Sequence, residues 1–187
     1  KEIHVVYVGG LKIKDTLDTE SFWNFFPKIT DQKIHFHVYS EQPKQVINKF
    51  KEIEKNKKYF HCEGFANHRK LIKKMAVYDF SIASADFKNA PIAWQKSVFG
   101  FKVFDSIMAK ILYINPNNLT ATTQFLEKNK VGVGYDYSKL HKIKDFLSKI
   151  KTRNYQDHFE NYINNYNEKT SSIISIICWY DLNICAD

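Results

Sequence analysis

Six runs of the chain are short and dense in β-branched and aromatic residues, as strands are: Ile3–Val8, Ile34–Tyr39, Tyr59–Glu63, Phe80–Ser84, Ile111–Asn115 and Val131–Tyr135. Between them the apolar spacing becomes helical. Gln45–Ile53 places Val46, Ile47, Phe50 and Ile53 on one face, and His68–Tyr78 does so with Leu71, Ile72, Met75 and Ala76. Leu140–Ile150 aligns Ile143, Phe146, Leu147 and Ile150, and a helix from about Gly100 to Lys110 would turn Val103, Phe104, Ile107 and Met108 inward. Strands alternating with helices of this length predict repeated right-handed crossovers. The expected fold is α/β, a parallel sheet of about six strands with helices on both faces. No internal repeat and no Pro/Gly/Ser linker interrupts it. From Asn154 to Asp187 the pattern is helical and aromatic-rich with no further strand. The expected division is an α/β domain over 1–150 and a helical tail over 151–187.

Composition narrows the class. With 187 residues, 44% hydrophobic and 26% charged, the chain is neither disordered nor too small to bury a core. The longest apolar run, around Ile173–Tyr180, falls short of the ~20 residues that a bilayer-spanning helix needs. The net charge of +8 invites anionic partners such as nucleic acid, lipid or phosphate. Yet Arg, the favoured reader of phosphates and base edges, occurs only at Arg69 and Arg153. The lysines are scattered over polar helix faces, as at Lys49, Lys51, Lys55, Lys57 and Lys58, so a solvated surface is expected and nucleic acid is not. Three cysteines, Cys62, Cys178 and Cys185, with no Cys-x-x-Cys, argue against a disulfide framework or structural zinc. A reducing, cytoplasmic setting fits. The chain opens directly into a strand without Met and reads as a piece of a longer protein.

Several residues could carry chemistry. In an open parallel sheet the ligand crevice lies at the carboxyl ends of the strands, where glycine lets backbone approach an anion. Gly9 and Gly10 follow the first strand and Gly64 the third, which suits either ligand contact or simple turns. Lys102 and Asp105 stand three apart at the start of a helix, an end that attracts phosphate. A Lys there can meet a diphosphate, and a carboxylate one turn on can accept from vicinal hydroxyls. Spacing alone favours the plainer reading, a surface ion pair worth ~0.2–0.5 kcal/mol. His35 and His37 share one face of the second strand, and His61 lies on a neighbour. Three imidazoles can bind zinc, but in a sheet covered on both faces packed histidines are the favoured reading, and no metal is expected. Asn67 is a natural N-cap, with His68 next to it in reach of a phosphate. The stretch Ala85–Val98, with Trp94 and Lys96, reads as a long loop overhanging the crevice. Neither a Gly-x-Gly-x-x-Gly after the first strand nor a P-loop is present.

Four motifs fall in one order: Tyr-Val-Gly-Gly-Leu (7–11), Phe-His-Cys-Glu-Gly-Phe (60–65), Tyr-Asp-Phe-Ser-Ile (78–82) and Phe-Gly-Phe-Lys-Val-Phe-Asp-Ser-Ile-Met-Ala (99–109). That order resembles the C-terminal, nucleotide-sugar-binding domain of GT-B glycosyltransferases, in particular the group-one families and xanthan-type glucuronosyltransferases. The resemblance runs from Ile3 to about Ile150 and implies a Rossmann-like domain. It implies the donor-binding half of a transferase that moves a sugar from a nucleotide sugar, UDP-sugar being favoured, to a glycan or lipid-linked acceptor in surface polysaccharide synthesis. By position, Gly9 and Gly10 would face the donor phosphates and Gly64 and Phe65 the base. Lys102 would contact the diphosphate and Asp105 the ribose. The resemblance also implies metal-independent donor binding, and an acceptor domain on the N-terminal side that carries any catalytic base or nucleophile, so that the isolated chain turns over poorly.

Two departures stand out. Group-one members often carry a pair of glutamates here; Asp105 takes the place of the second, but Ser97 stands at the first. The family's small-Gly-x-Pro step appears as Ala109-Lys110-Ile111-Leu112. Two other readings stand beside this one: a sugar-nucleotide epimerase of the same fold, and a basic α/β module binding nucleic acid or an acidic partner. In GT-B enzymes a terminal helix packs back on the N-terminal domain. The apolar residues Ile173, Ile174, Ile176, Ile177, Trp179 and Tyr180 are therefore expected to self-associate through 170–187, the alternative being a tail that docks on the sheet's last helices. The full protein would work in the cytoplasm, peripherally at the inner face of the membrane.

Overall fold

The structure, a computed structural model, describes residues 2–11, 22–83, 89–151 and 155–169. Six strands form one parallel sheet: β1 (His4–Val8), β2 (His35–Tyr39), β3 (Phe60–Gly64), β4 (Phe80–Ile82), β5 (Leu112–Pro116) and β6 (Gly132–Tyr135). Their order is β3-β2-β1-β4-β5-β6. The chain therefore winds outward one way from β1 and the other way from β4, and the carboxyl ends of these two central strands border the crevice where such sheets bind ligands. The expected α/β parallel sheet is present, with Ser84 outside the described residues.

The connections are helical. α1 (Phe22–Phe25) and α2 (Pro27–Thr30) lie between β1 and β2, α3 (Lys44–Asn56) between β2 and β3, and α4 (His68–Met75) between β3 and β4. α5 (Ile92–Ser97) and α6 (Lys102–Met108) precede β5, and α7 (Thr120–Asn129) precedes β6. A 3-10 stretch, Tyr137–Lys142, then leads into α8 (Ile143–Lys151), and α9 (Gln156–Lys169) follows. Asn67 caps α4 by accepting from the Lys70 N–H at 3.1 Å, as its place before the helical pattern predicts.

Alternation along the strands separates two layers. Val5, Tyr7, Phe36, Val38 and Phe60 belong to the main core, where they meet Phe22, Phe25 and Phe26 from α1–α2 and Phe50 of α3. The rings interlock, with centroids 4.7 Å apart for Phe26–Phe60 and 5.5 Å for Phe22–Phe50. Burying each such side chain contributes about 1.5–3 kcal/mol. Val6, Val8 and Tyr39 turn the other way, onto Leu71 and Met75 of α4.

The structure departs from the sequence reading in three places. α6 is shorter than expected and only part of its anticipated inner face is inside: Val103 and Ile107 are buried, while Met108 is 60% exposed and Phe104 lies near the surface against Phe99 and Phe125. The stretch expected as loop over Ala85–Val98 contains α5, with 84–88 outside the described residues. α7 shows no apolar period because its buried positions include Thr122 and Thr123, whose hydroxyls bond to the Val98 and Pro116 carbonyls.

The tail begins by docking. In α9, Phe159 is fully buried, Tyr162 packs edge-on to Phe125 at 5.8 Å, and Glu160 pairs with Lys110 at 3.0 Å. Residues 170–187, with the self-association expected of them, lie outside the described residues. Among the described residues no helix is long and apolar enough to cross a membrane.

Candidate functional site

Three adjacent strand ends are tied into one rim. Gly9, directly after β1, donates its N–H to the Tyr39 carbonyl at 2.9 Å. Ser40, directly after β2, donates its backbone N–H to the Gly64 carbonyl at 3.0 Å and its hydroxyl to the Gly9 carbonyl at 2.6 Å. Gly9 and Gly64 have φ of +117° and +75°, values that side-chain-bearing residues rarely adopt. Gly9, Gly10 and Gly64 thus stand at the carboxyl edge, where following strands puts them, and Ser40 is the joint that sequence reasoning missed. One detail changes: the Gly9 amide is spent on Tyr39 and is not a free donor for an anion.

Lys102 reaches this rim from the first position of α6. Its ammonium donates to the Tyr7 hydroxyl at 2.9 Å and lies 4.5 Å from the centroid of that ring. The same hydroxyl donates to the Gly10 carbonyl. The lysine's outer carbons and ammonium pass directly over Gly9, so that a Cβ on Gly9 would overlap both Cε and Nζ. The lysine tip is flexible and can give way, so it is the positive φ that calls for glycine at this position. Lys102 is thus a cation held across the end of β1, at the crevice where the strand order reverses.

Asp105 turns elsewhere. Among the described residues no ion pair joins it to Lys102; its Oδ1 is 2.8 Å from Nε2 of His68, the first residue of α4. The i,i+3 ion pair that spacing favoured is thus replaced by a cross-helix pair between α6 and α4. Beneath it the Tyr113 phenol is pushed well above the usual tyrosine range, by burial first, with Tyr7 and Asp105 adding to the shift. Phe65 stands next to Gly64 with its ring 66% exposed, and Phe101, just before α6, is 84% exposed. Ser97, where a group-one enzyme carries its first acid, bonds back to the Ala93 carbonyl of its own helix. Lys110 has φ +55°, so this chain keeps a left-handed turn at the position where the resembled family has glycine.

The histidines singled out by sequence lie away from this rim, at the amino-terminal half of the sheet. His4 is opposite His35, and His37 opposite His61, each pair of rings stacked with centroids 4.4 Å apart. His35 Nδ1 is 2.8 Å from His61 Nε2, His4 Nδ1 is 3.0 Å from His37 Nε2, and His37 Nδ1 is 2.8 Å from Glu63 Oε1. Burial, then the neighbouring imidazoles of His37 and His35, push His61 down to about 4. His4 is lowered by the same causes, burial first. The hydrogen bond from His37 holds the Glu63 carboxyl below the usual range. His4 and Glu63 were not anticipated, because only the register of β1 on β2 and of β2 on β3 brings them to the others.

No family model matches the sequence, and no curated protein matches it. Solved structures do. S. aureus TarM, as a mutant in complex with fondaparinux, α-GlcNAc-glycerol and UDP, matches over 95% of this chain and 35% of its own, with a TM-score of 0.57 at 13% identity. A further TarM structure matches with a TM-score of 0.59 at 14% identity, over 95% of this chain and 34% of its own. WaaG, a glycosyltransferase involved in lipopolysaccharide biosynthesis, matches over 100% of this chain and 48% of its own, with a TM-score of 0.52 at 13% identity. The chain thus spans between a third and a half of the length of these proteins. A six-stranded parallel sheet of this order, matched across nearly its whole length by such structures, gives the chain a Rossmann-like, GT-B glycosyltransferase-type fold.

Proposed function

We propose that the chain is the donor-binding half of a glycosyltransferase and that its carboxyl-end rim holds a nucleotide sugar, UDP-sugar first. The observation that carries this reading is Lys102, whose ammonium is fixed over Gly9 at the crevice between the central strands. A fixed cation there meets a diphosphate without a metal and stabilises it as it leaves when the glycosidic bond breaks. Asp105, steadied through one oxygen by His68, keeps its other oxygen for ribose hydroxyls. Phe65 offers an exposed ring to the base. Supporting this, the TarM complex of the same fold contains UDP. Since the chain spans less than half of each matched protein, the acceptor and any catalytic base or nucleophile belong to a second domain in this reading. Surface polysaccharide synthesis at the inner face of the membrane is the setting it suggests.

Calorimetric titration with UDP, GDP, CMP and uridine tests the reading. UDP should bind in preference to uridine. Lys102→Ala should weaken UDP by roughly 10- to 150-fold, the worth of a charge-assisted hydrogen bond, and leave uridine nearly unchanged. Equal affinity of wild type and variant for UDP would remove Lys102, and with it the assignment.

A further inference from the structure

The layer of imidazoles on β1–β3 is linked ring to ring, and the Glu63 carboxylate at one end sets the direction of the links nearest it. Glu63 can only accept, so His37 carries its proton on Nδ1, 2.8 Å from that carboxylate. His37 Nε2 is then an acceptor, and His4 Nδ1 at 3.0 Å must be its donor. That leaves His4 Nε2 with a lone pair. His35 lies 9% exposed, and its Nε2 is buried without a hydrogen-bond partner, whereas its Nδ1 is 2.8 Å from His61 Nε2. In the tautomer in which His35 Nδ1 donates to His61, Nε2 carries a second lone pair. Beside it stands the Glu2 carboxylate, with Oε2 3.5 Å from His35 Nε2.

Glu2, His4 and His35 each offer one ligand atom, and the three lie within 4.8 Å of one another. Ligands of a tetrahedral zinc, at about 2.0–2.1 Å from the ion, stand roughly 3.3 Å apart, so on binding the three atoms draw together and the stacked His4 and His35 rings turn out of parallel to aim at one ion. We propose that Glu2, His4 and His35 form a site for one divalent transition-metal ion of the zinc class. In it the Glu63–His37 pair is the outer support that orients His4, a carboxylate–imidazole chain of the kind that steadies metal-ligating histidines. Three protein ligands leave a fourth position, which opens to solvent beside Glu2, whose side chain is 65% exposed. The trio singled out by sequence, His35 with His37 and His61, is not the one that converges: His37 and His61 are the supports. The metal ligands are separate from the donor rim, because His4 begins β1 and Gly9 directly follows its end, five residues or about 16 Å away. The expectation of metal-free donor binding is untouched by it.

Metal-free protein titrated with Zn2+ in a non-chelating buffer tests this, with Co2+ as a spectroscopic reporter of coordination. One ion per chain should bind with micromolar or tighter affinity, and Co2+ should show the visible bands of a tetrahedral site. Glu2→Gln and His35→Gln should each weaken Zn2+ at least tenfold. Glu63→Gln, which touches no ion, should weaken it 10- to 100-fold by freeing His4 to turn. UDP affinity should be the same in all four proteins. Glu2 is exposed, so Glu2→Gln decides the matter even where His35→Gln fails to fold. Absence of saturable binding, or Zn2+ affinity unchanged in Glu2→Gln, overturns the site.

Discussion

β2 carries two chemistries back to back. On one side Phe36 and Val38 enter a layer of interlocked rings; on the other His35 and His37 are joined by hydrogen bonds to His61, His4 and Glu63. Both sides are buried, all five residues of the strand included. The aromatic side is held by dispersion and the removal of apolar area from water, which are indifferent to small rotations. The histidine side is held by directional bonds that link ring to ring. Packing therefore sets stability on one face, and proton placement sets ligand chemistry on the other.

The sharpest way to break this contrast is to truncate the aromatic layer. Phe50 is fully buried and touches Phe22, Trp23 and Phe60. Phe50→Ala should cost about 3–5 kcal/mol by denaturant unfolding, the usual loss for deleting a buried ring and leaving a cavity. A loss below ~1 kcal/mol would mean that the layer is loosely packed and that the contrast fails.

The matching change on the other face is His37→Leu, which keeps volume and removes both bonds. It leaves the His4 Nδ1–H and the Glu63 carboxylate without their partner. Metal-free protein should lose about 1–3 kcal/mol, toward the lower end because the Glu63 side chain is 31% exposed. A stabilised variant would show that these bonds contribute nothing to folding and serve ligand chemistry alone.

Much of the architecture was legible because each strand is a compact run of β-branched and aromatic residues and each helix such as α3 repeats its apolar positions. The glycines of the rim were legible because they directly follow strands. Ser40 and His4 were not, and His68 was legible only without its partner Asp105, since these roles depend on residues 31, 33 and 37 positions away in the chain. Local pattern carries no information about which strand ends meet. α7 escaped because threonines, satisfied by carbonyls, stand where an apolar stripe would have announced a helix. Lys102 and Asp105 were found as a pair but paired wrongly: three residues apart on a helix they can face each other, yet one is drawn to Tyr7 and the other to His68.

Tyr7 belongs to both kinds of structure and gives the smallest and most discriminating test. Its ring is buried in the aromatic layer, 6.3 Å from Phe22, while its hydroxyl reaches the rim, donating to the Gly10 carbonyl and accepting from Lys102. Tyr7→Phe keeps the ring and deletes only the polar end. Stability should fall by about 0.5–1.5 kcal/mol, the net worth of an ordinary hydrogen bond. Lys102 keeps its charge and its place over the ring but loses the bond that aims it, so UDP affinity should fall severalfold, well short of the loss in Lys102→Ala. Uridine affinity should not change. Unfolding curves and the two titrations on the same preparation separate the effects: a fall in stability with unchanged UDP binding would make the hydroxyl a structural bond only, and would leave Lys102 positioned by the ring and Gly9 alone.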